Sequence, residues 1–303
     1  MRAAIGRPGV AQRDSRSFLL PLEWIAANSI NEGKHIMSTT LTDRQQQLAD
    51  ALFAAYAKND AGENEPLTMS DWTDAVDDVE VAYAVQDAVM AKKGQPVGGY
   101  KVSLTSEETQ KMFDSDCPLY GAQLAERFHA APYAVDLSHL NEPLVEVEFC
   151  FKAKEDLSAA DTPEQLLSKC TVAGDMEVPD ARFKEWFPTL PKYLVVSDCA
   201  VGGCVVYGKE VDGGELTVDG LAGYHAKCYH DGEFVKEGDT SEILGNPVKS
   251  LQWLVGKLES QGKKFTAGMR ASVGTVFVPV HLTEGTWKVE FDGPFGSFEV
   301  TAK

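Results

Sequence analysis

Long apolar runs and basic residues are both scarce in this sequence of 303 residues. No run approaches the roughly 18 apolar residues of a membrane-spanning helix. Only 28 Lys and Arg residues stand against 46 Asp and Glu residues, so the formal net charge is −18. A surface of that charge repels polyphosphates and anionic lipids, which argues against nucleic acid and membranes as partners. The net charge does not argue against small acidic substrates, because one local cation can outweigh the negative electrostatic field of the whole protein.

Paired cysteines are also absent. The six cysteines include no CxxC pair, and no histidine falls at a spacing typical of a zinc site. In a chain of this length the cysteines are typical of reduced thiols that pack inside a protein. We therefore expect a cytoplasmic protein without a zinc site.

Residues 1–36 differ in character from the rest of the chain. Four arginines precede the apolar patch Phe18-Leu19-Leu20, which is too short for a secretory signal. An Arg-rich stretch with few acids also suits an organelle transit peptide, but Met37 opens a clean N-terminus. We expect residues 1–36 to be a disordered extension upstream of the true start.

Helical periodicity marks residues 37–95. Apolar residues recur three and four apart from Thr42 onward and again over residues 77–93, which predicts a small helical N-terminal part. A further helix is predicted over residues 247–261, with Asn246 as its N-cap.

Strand signals dominate residues 96–303. Segments that are apolar or alternating, and are bounded by glycine and proline, predict strands over residues 98–104, 141–154, 193–207, 215–229, 233–236, 271–282, 287–291 and 297–301. Because strands outnumber helices and rarely alternate with them, the predicted fold class is α+β with a large, rolled, antiparallel-rich sheet.

One predicted strand carries a pair of glutamates. Within residues 141–154, apolar residues alternate with Glu146 and Glu148, which places both carboxylates on one face about 7 Å apart. Like charges so close repel unless water or a cation lies between them. The alternation therefore fits either a solvated strand face or a divalent-cation site.

Six short motifs follow one another in residues 40–303. They are Gly99-Tyr100-Lys101-Val102-Ser103-Leu104-Thr105-Ser106, Val145-Glu146-Val147-Glu148, Met176-Glu177-Val178-Pro179, Val196-Ser197-Asp198-Cys199, Leu244-Gly245-Asn246-Pro247-Val248 and Gly296-Ser297-Phe298. In this combination the chain resembles the 2-keto-4-pentenoate hydratases of the fumarylacetoacetate hydrolase superfamily, which also holds 4-oxalocrotonate decarboxylases. The resemblance implies a mixed β-roll of the fumarylacetoacetate hydrolase C-terminal-domain type over residues 96–303.

The resemblance also implies a Mg²⁺ or Mn²⁺ cofactor held by Glu146, Glu148 and Glu177. Hard divalent cations prefer oxygen ligands, and three carboxylates leave open positions for water or substrate. The implied partner is a small 2-oxo or 2-hydroxydienoic acid, which would chelate the ion through its carboxylate and its C2 oxygen.

The implied catalytic residues are Lys101 and Asp198. A cation beside Lys101 should lower the pKa of its amine, which suits proton transfer, and Asp198 would orient a water or Lys101. Outside the motifs, Lys101 would be assigned to a strand edge at the surface and Asp198 to a turn. Nearby hydroxyls are candidate substrate-binding groups: Ser103, Thr105, Ser272 and Thr275.

Three positions depart from the family pattern. Leu119 and Met269 stand where hydratases usually carry Asp, and Val273 stands where they carry Thr. The apolar Leu119 accepts no proton and holds no substrate hydroxyl, so we expect a pocket unlike that of a typical hydratase. No motif supplies the histidine with which the hydrolase branch activates water, which counts against C–C bond hydrolysis.

Together these features predict a cytoplasmic, Mg²⁺-dependent hydratase that adds water to a 2-hydroxy-2,4-dienoate from aromatic degradation, giving a 4-hydroxy-2-oxo acid. One alternative is a 4-oxalocrotonate-type decarboxylase, which a basic contact from Arg127 or Arg182 would favour. Another is a non-catalytic member that binds a 2-oxo acid or serves as a complex subunit. We expect a homo-oligomer, and a complex with a partner enzyme of the pathway stays open.

Overall fold

Seven α-helices follow one another along residues 40–303, the part of the chain that the computed structural model describes. In chain order they are α1 (Asp43–Asp60), α2 (Val79–Lys93), α3 (Glu107–Met112), α4 (Pro163–Ser168), α5 (Lys192–Ser197), α6 (Val218–Leu221) and α7 (Pro247–Ser260). None of these seven combines the length and the apolar character that crossing a membrane requires. The extension predicted over residues 1–36 lies outside the described residues.

Fourteen strands in the same residues form two sheets. They are β1 (Val97–Ser103), β2 (Leu119–Leu124), β3 (Phe128–Ala130), β4 (Tyr133–Val135), β5 (Leu144–Ala153), β6 (Cys170–Val178), β7 (Cys204–Tyr207), β8 (Val211–Asp212), β9 (His225–His230), β10 (Glu233–Asp239), β11 (Arg270–Ser272), β12 (Val280–His281), β13 (Gly285–Phe291) and β14 (Gly296–Ala302).

The larger sheet is mixed. Its order is β2-β1-β11-β5-β6-β7-β3, with β12 pairing β5 and β8 pairing β6, and the smaller sheet has the order β10-β9-β13-β14-β4. Strands β1 and β11 run parallel, whereas β11, β5 and β6 are antiparallel neighbours. The predicted α+β class, with a small helical part before the sheets, is confirmed.

Helix ends are set by capping side chains. The Thr42 hydroxyl accepts a hydrogen bond from the Gln45 N–H before α1, and Asn246 caps α7 through its side-chain oxygen. Such caps satisfy backbone N–H groups that have no partner inside the helix. The helices predicted over residues 77–93 and 247–261 are confirmed, with small differences at their ends.

Helix α2 is joined to the sheet by one buried side chain, Gln86. Its amide nitrogen donates to the carbonyls of Tyr120 and Val196, and its oxygen accepts from the Ala122 N–H. Gln86 is fully buried, so these hydrogen bonds replace the water that the backbone groups would otherwise need. Strand β2 in turn pairs with β1, so the helical part supports the strand that carries Lys101.

The prediction of strand over residues 193–207 is wrong for its first part. Helix α5 ends at Ser197, and strand β7 begins only at Cys204. The β-branched Val195 and Val196 favour a strand in isolation. Tertiary contacts outweigh that preference, because α5 packs against α2 and receives the hydrogen bond from Gln86 at Val196.

Two other predicted strands are shorter in the structure. Residues 215–229 include helix α6, which Thr217 caps, and only residues 225–229 lie in β9. Residues 271–282 contain β12 and the end of β11, and residues 273–279 between them form no strand. Gly274 in this segment has a φ of +118°, a conformation that glycine adopts at little cost.

Strand β5 has two chemically different faces. Val147 and Phe149 are fully buried on one side, and the Phe149 ring lies 5.0 Å from the Phe291 ring of β13. This apolar face therefore joins the two sheets. The opposite face carries Glu146 and Glu148, as the alternation predicts.

Candidate metal and catalytic site

Four acidic residues face one another across strands β5 and β6. Glu146 lies opposite Glu177 in this antiparallel pair, and Glu148 lies opposite Asp175. Residues two apart on a strand share a face, so all four carboxylates lie on the same side of the sheet. One oxygen from each of Glu146, Glu148 and Glu177 lies within 4.8 Å of the others. We call these three residues the glutamate cluster.

Lys101 reaches the glutamate cluster from strand β1. Its Nζ lies 2.6 Å from Glu177 Oε1 and 3.8 Å from Glu146 Oε2. Lys101 is only 1% exposed, so its ammonium group has these carboxylates as partners in place of water. The alternative assignment of Lys101 to the protein surface is therefore wrong.

Two hydrogen-bond donors hold the carboxylate of Glu148. Its Oε2 accepts a hydrogen bond from the Ser272 hydroxyl at 2.7 Å and another from the Gly274 N–H at 2.5 Å. The Ser272 hydroxyl also lies 2.7 Å from Asp175 Oδ2. The sequence prediction omits the fully buried Asp175, although the same alternation could identify it, because it stands two residues before Glu177.

Burial shifts the pKa values in this group of residues. Desolvation raises the pKa of Glu177 to about 8, although the neighbouring Lys101 opposes the rise. Desolvation, together with repulsion from neighbouring carboxylates, holds the pKa of Glu148 well above its ordinary value. Burial favours the neutral amine of Lys101, but attraction by the surrounding glutamates outweighs burial and raises the Lys101 pKa.

The donor set fits a divalent cation. Carboxylate oxygens are the ligands that Mg²⁺ and Mn²⁺ prefer, and the glutamate cluster supplies three carboxylates against one ammonium group. Glu177 Oε2 is buried and has no hydrogen-bond partner within residues 40–303, so it is free to bind an ion. Glu146, Glu148 and Glu177 could together hold such a cation.

A cleft opens onto Lys101, Glu146 and Glu148. The rest of its wall is largely apolar, and the apolar lining residues are Val102, Leu104, Phe113, Pro179, Trp186, Phe187, Val195, Val201 and Pro279. The site thus combines a charged end with an apolar wall, which suits a small molecule with an acidic head and a hydrocarbon tail.

Three of the four candidate substrate-binding hydroxyls line this cleft. They are Ser103, Thr105 and Thr275. The fourth, Ser272, is fully buried behind Glu148 and is not among the lining residues.

Asp198 also lies outside the cleft lining. Its Oδ2 accepts a hydrogen bond from the Arg182 N–H at 2.6 Å, and burial raises its pKa to about 6. The structure therefore gives Asp198 a bond that fixes the backbone near Arg182. Its catalytic role stays a prediction.

Two residues that depart from the family pattern pack in the core. Leu119 begins strand β2 opposite Ser103, and Val273 follows Ser272 at the end of β11. Both side chains are buried, and neither lines the cleft. None of the histidines in residues 40–303 lines it either.

Comparison with known proteins agrees with the motifs. No protein-family model matches the chain. A 2-keto-4-pentenoate hydratase of Burkholderia vietnamiensis is 28% identical over 234 residues, which cover 74% of this chain and 86% of that protein. A 4-oxalocrotonate decarboxylase of Pseudomonas sp. strain CF600 is 27% identical over 255 residues, covering 82% of this chain and 93% of the relative.

Solved structures share the fold. A 4-oxalocrotonate decarboxylase from Pseudomonas putida G7, complexed with magnesium and adipate, superposes with a TM-score of 0.75 at 21% identity, covering 87% of this chain and 99% of that one. A fumarylpyruvate hydrolase from Pseudomonas aeruginosa, in complex with Mn²⁺ and pyruvate, gives a TM-score of 0.51 at 14% identity, with coverages of 67% and 88%. The resemblance inferred from the motifs is thereby confirmed: the chain is similar in sequence to the 2-keto-4-pentenoate hydratases over most of its length and shares the fold of the magnesium-bound decarboxylase.

Proposed function

We propose that this protein is a divalent-metal-dependent hydratase that adds water to a 2-hydroxy-2,4-dienoate in aromatic catabolism. The product is a 4-hydroxy-2-oxo acid. The observation that carries the proposal is the contact of buried Lys101 with Glu177, inside the glutamate cluster and beside an open cleft. The relatives named 2-keto-4-pentenoate hydratase support the same activity.

Glu146, Glu148 and Glu177 would hold the cation, either Mg²⁺ or Mn²⁺. When bound, the ion supplies a Lewis acid that binds a 2-oxo acid and stabilises its enolate charge. The three clustered carboxylates and the unpartnered Glu177 Oε2 support this assignment. The magnesium in the decarboxylase structure and the Mn²⁺ in the fumarylpyruvate hydrolase structure support the class of ion.

Lys101 would carry the proton transfers of the first step. A 2-hydroxy-2,4-dienoate becomes an enone when its C2 hydroxyl loses a proton and C5 gains one. Lys101 lines the cleft and its ammonium group is held by Glu177 Oε1 at 2.6 Å, so it is placed to donate a proton to C5 and to take one back from the C2 hydroxyl. The expected fall of its pKa beside a cation stays a prediction. Water then adds across the C3–C4 double bond, with hydroxyl at C4 and hydrogen at C3.

The apolar wall and the three candidate hydroxyls that line the cleft would have separate roles. The wall packs against the hydrocarbon part of the dienoate and limits the access of bulk water. The Thr275 hydroxyl donates to the Phe277 carbonyl at 2.9 Å, so its oxygen is left to accept a hydrogen bond from the attacking water. Ser103 and Thr105 would contact the polar atoms of the substrate.

A 4-oxalocrotonate-type decarboxylase is the second candidate, because some relatives carry that name. The position of two arginines favours the hydratase. Arg127 pairs with Asp60 at 2.6 Å and Arg182 pairs with Asp180 at 2.9 Å, and neither arginine lines the cleft. An apolar wall suits a substrate with one carboxylate better than one with two.

A non-catalytic member that binds a 2-oxo acid is the third candidate. This candidate rests on the apolar Leu119 and Val273, since both stand where the family carries polar residues. Such a protein would bind Mg²⁺ and a 2-oxo acid without converting a dienoate. A role as the subunit of a complex with a partner enzyme would show the same lack of turnover.

We also expect a homo-oligomer in the cytoplasm. All six cysteines are free thiols, which suits a reducing compartment. Light scattering on the purified protein would measure the subunit number. Co-purification from the source cells would test for a partner enzyme.

Substrate turnover tests these candidates directly. Purified protein with Mg²⁺ is given 2-hydroxypenta-2,4-dienoate and 4-oxalocrotonate separately, and the products are identified by mass spectrometry. We expect hydration of the first substrate, loss of activity in Lys101→Met, and full activity in Lys111→Met, whose side chain is 79% exposed. Release of CO₂ from 4-oxalocrotonate would favour the decarboxylase. Binding of a 2-oxo acid without turnover of either substrate would favour the non-catalytic reading.

A further inference from the structure

Glu148 differs from the other members of the glutamate cluster in how it is held. Both donors to its carboxylate converge on one oxygen, Oε2: the Ser272 hydroxyl at 2.7 Å and the Gly274 N–H at 2.5 Å. The other oxygen, Oε1, accepts no hydrogen bond from residues 40–303. Glu148 lines the cleft, so its carboxylate is fixed on one side and open on the other.

The two donors are fixed by the sheet rather than by solvent. Strand β11 lies between β1 and β5, and Ser272 is in register with Lys101 on one side and with Cys150 on the other. Gly274 ends this segment with a φ of +118°, and a Cβ built there would lie 2.1 Å from the Thr105 hydroxyl oxygen. This backbone conformation therefore depends on glycine, and in it the Gly274 N–H donates to Glu148.

The Ser272 hydroxyl is anchored from a second direction. It lies 2.7 Å from Asp175 Oδ2, and Asp175 is the residue opposite Glu148 across β5 and β6. Ser272 and Asp175 are both fully buried. A hydroxyl enclosed in this way cannot contact a substrate in the cleft, which differs from the substrate-binding role predicted from the sequence.

We propose that Ser272, together with the Gly274 N–H, is a positioning residue that holds Glu148 Oε2 and leaves Glu148 Oε1 as the oxygen offered to a divalent cation. The inference rests on the proposed metal site and adds a residue to it. Hydrogen-bond partners of metal-ligating carboxylates typically change metal affinity by 10- to 100-fold when they are removed. The affinity of the protein for the ion should therefore depend on the Ser272 hydroxyl.

Two matched pairs of side chains test this dependence. Ser272 and Ser272→Ala differ by the hydroxyl, and Ser272→Thr and Ser272→Val again differ only by a hydroxyl in place of a methyl group. Calorimetric titration with Mn²⁺ gives the dissociation constant of each. We expect the Ala and Val variants to bind Mn²⁺ at least about 10-fold more weakly than their hydroxyl counterparts. Ser250→Ala is the control, because Ser250 is fully buried and its hydroxyl has no partner in the described residues.

Each result decides between a positioning role and a structural one. Equal Mn²⁺ affinity within both pairs would overturn the proposal, and so would an equal loss in Ser250→Ala. If Ser272→Ala does not fold, the Thr and Val pair carries the test alone. Absence of Mn²⁺ binding by the wild-type protein would instead contradict the proposed metal site itself, so the two failures are distinct.

Discussion

Metal-free protein should lose stability as the pH rises through neutrality. Burial raises the pKa of Glu177 to about 8, from an ordinary value of 4.5. Between those values the folded protein keeps a proton on Glu177 that the unfolded chain has released. The folded state therefore binds more protons, and the free energy of unfolding falls with rising pH. The contribution is complete below the unfolded pKa and is lost as the pH rises through about 8.

The size of the effect follows from the same shift. One pKa unit corresponds to about 1.4 kcal/mol, so Glu177 alone would account for roughly 5 kcal/mol over the whole interval. Between about pH 5.5 and about pH 7.5 its share is about 2–3 kcal/mol. Burial also raises the pKa values of Glu146 and Glu148, which act in the same direction.

Urea unfolding in EDTA, followed by circular dichroism, measures this loss. The wild-type protein should lose about 2–3 kcal/mol more than Glu177→Gln over that pH range, because the amide does not titrate. Saturating Mg²⁺ should flatten the dependence, since the ion binds the ionised carboxylates and stabilises the folded state increasingly as the pH rises. Parallel pH profiles for the two proteins in EDTA would refute the reasoning.

Four further substitutions test the packing and the helix capping of the fold. Gly121→Ala should destabilise the protein by about 1–3 kcal/mol, because the added Cβ would lie 1.8 Å from the Cys199 carbonyl oxygen. Gly256→Ala should stabilise it by about 0.5–1 kcal/mol, because a Cβ built there meets no atom within 4 Å. A higher melting temperature for Gly121→Ala than for Gly256→Ala would contradict both expectations. Asn246→Ala should cost about 1 kcal/mol in urea unfolding through loss of the α7 cap, and an unchanged midpoint would count against the cap. Phe149→Ala should cost about 3–5 kcal/mol, and a cost under about 1 kcal/mol would contradict its place between the two sheets.

The part of the site that the sequence predicts best depends on local pattern. Alternation alone places Glu146 and Glu148 on one face of a strand, and the structure confirms that geometry. The pattern does not reveal that Glu177 stands opposite Glu146, because the register between β5 and β6 is a long-range property. The resemblance to a family supplied that residue, and also Lys101.

Residues whose positions depend on strand order are harder to predict. Ser272 is sequentially distant from Glu148, and the two meet only because β11 lies next to β5 in the sheet. From the sequence its hydroxyl is therefore assigned to substrate binding. Asp175 is a different case, because its position two residues before Glu177 is visible in the sequence. Its place in the site becomes evident only when the residue opposite it is known to be Glu148.

Local propensity also fails where distant contacts decide the backbone. The β-branched Val195 and Val196 predict a strand, yet they lie in helix α5, which packs against α2. The α7 helix is predicted well because its cap, its proline and its apolar stripe all lie within one segment.

Binding of Mn²⁺ to the wild-type protein and to Glu148→Gln tests the central claim most directly. The wild-type protein should bind one Mn²⁺ per chain at the glutamate cluster, and Glu148→Gln should lose that binding, because it removes one of three charged ligands. Glu108→Gln, at an exposed position outside the cleft lining, should bind like the wild type. If the wild-type protein binds no Mn²⁺, or if Glu148→Gln binds it equally tightly, the assignment of a metal site to the glutamate cluster is contradicted.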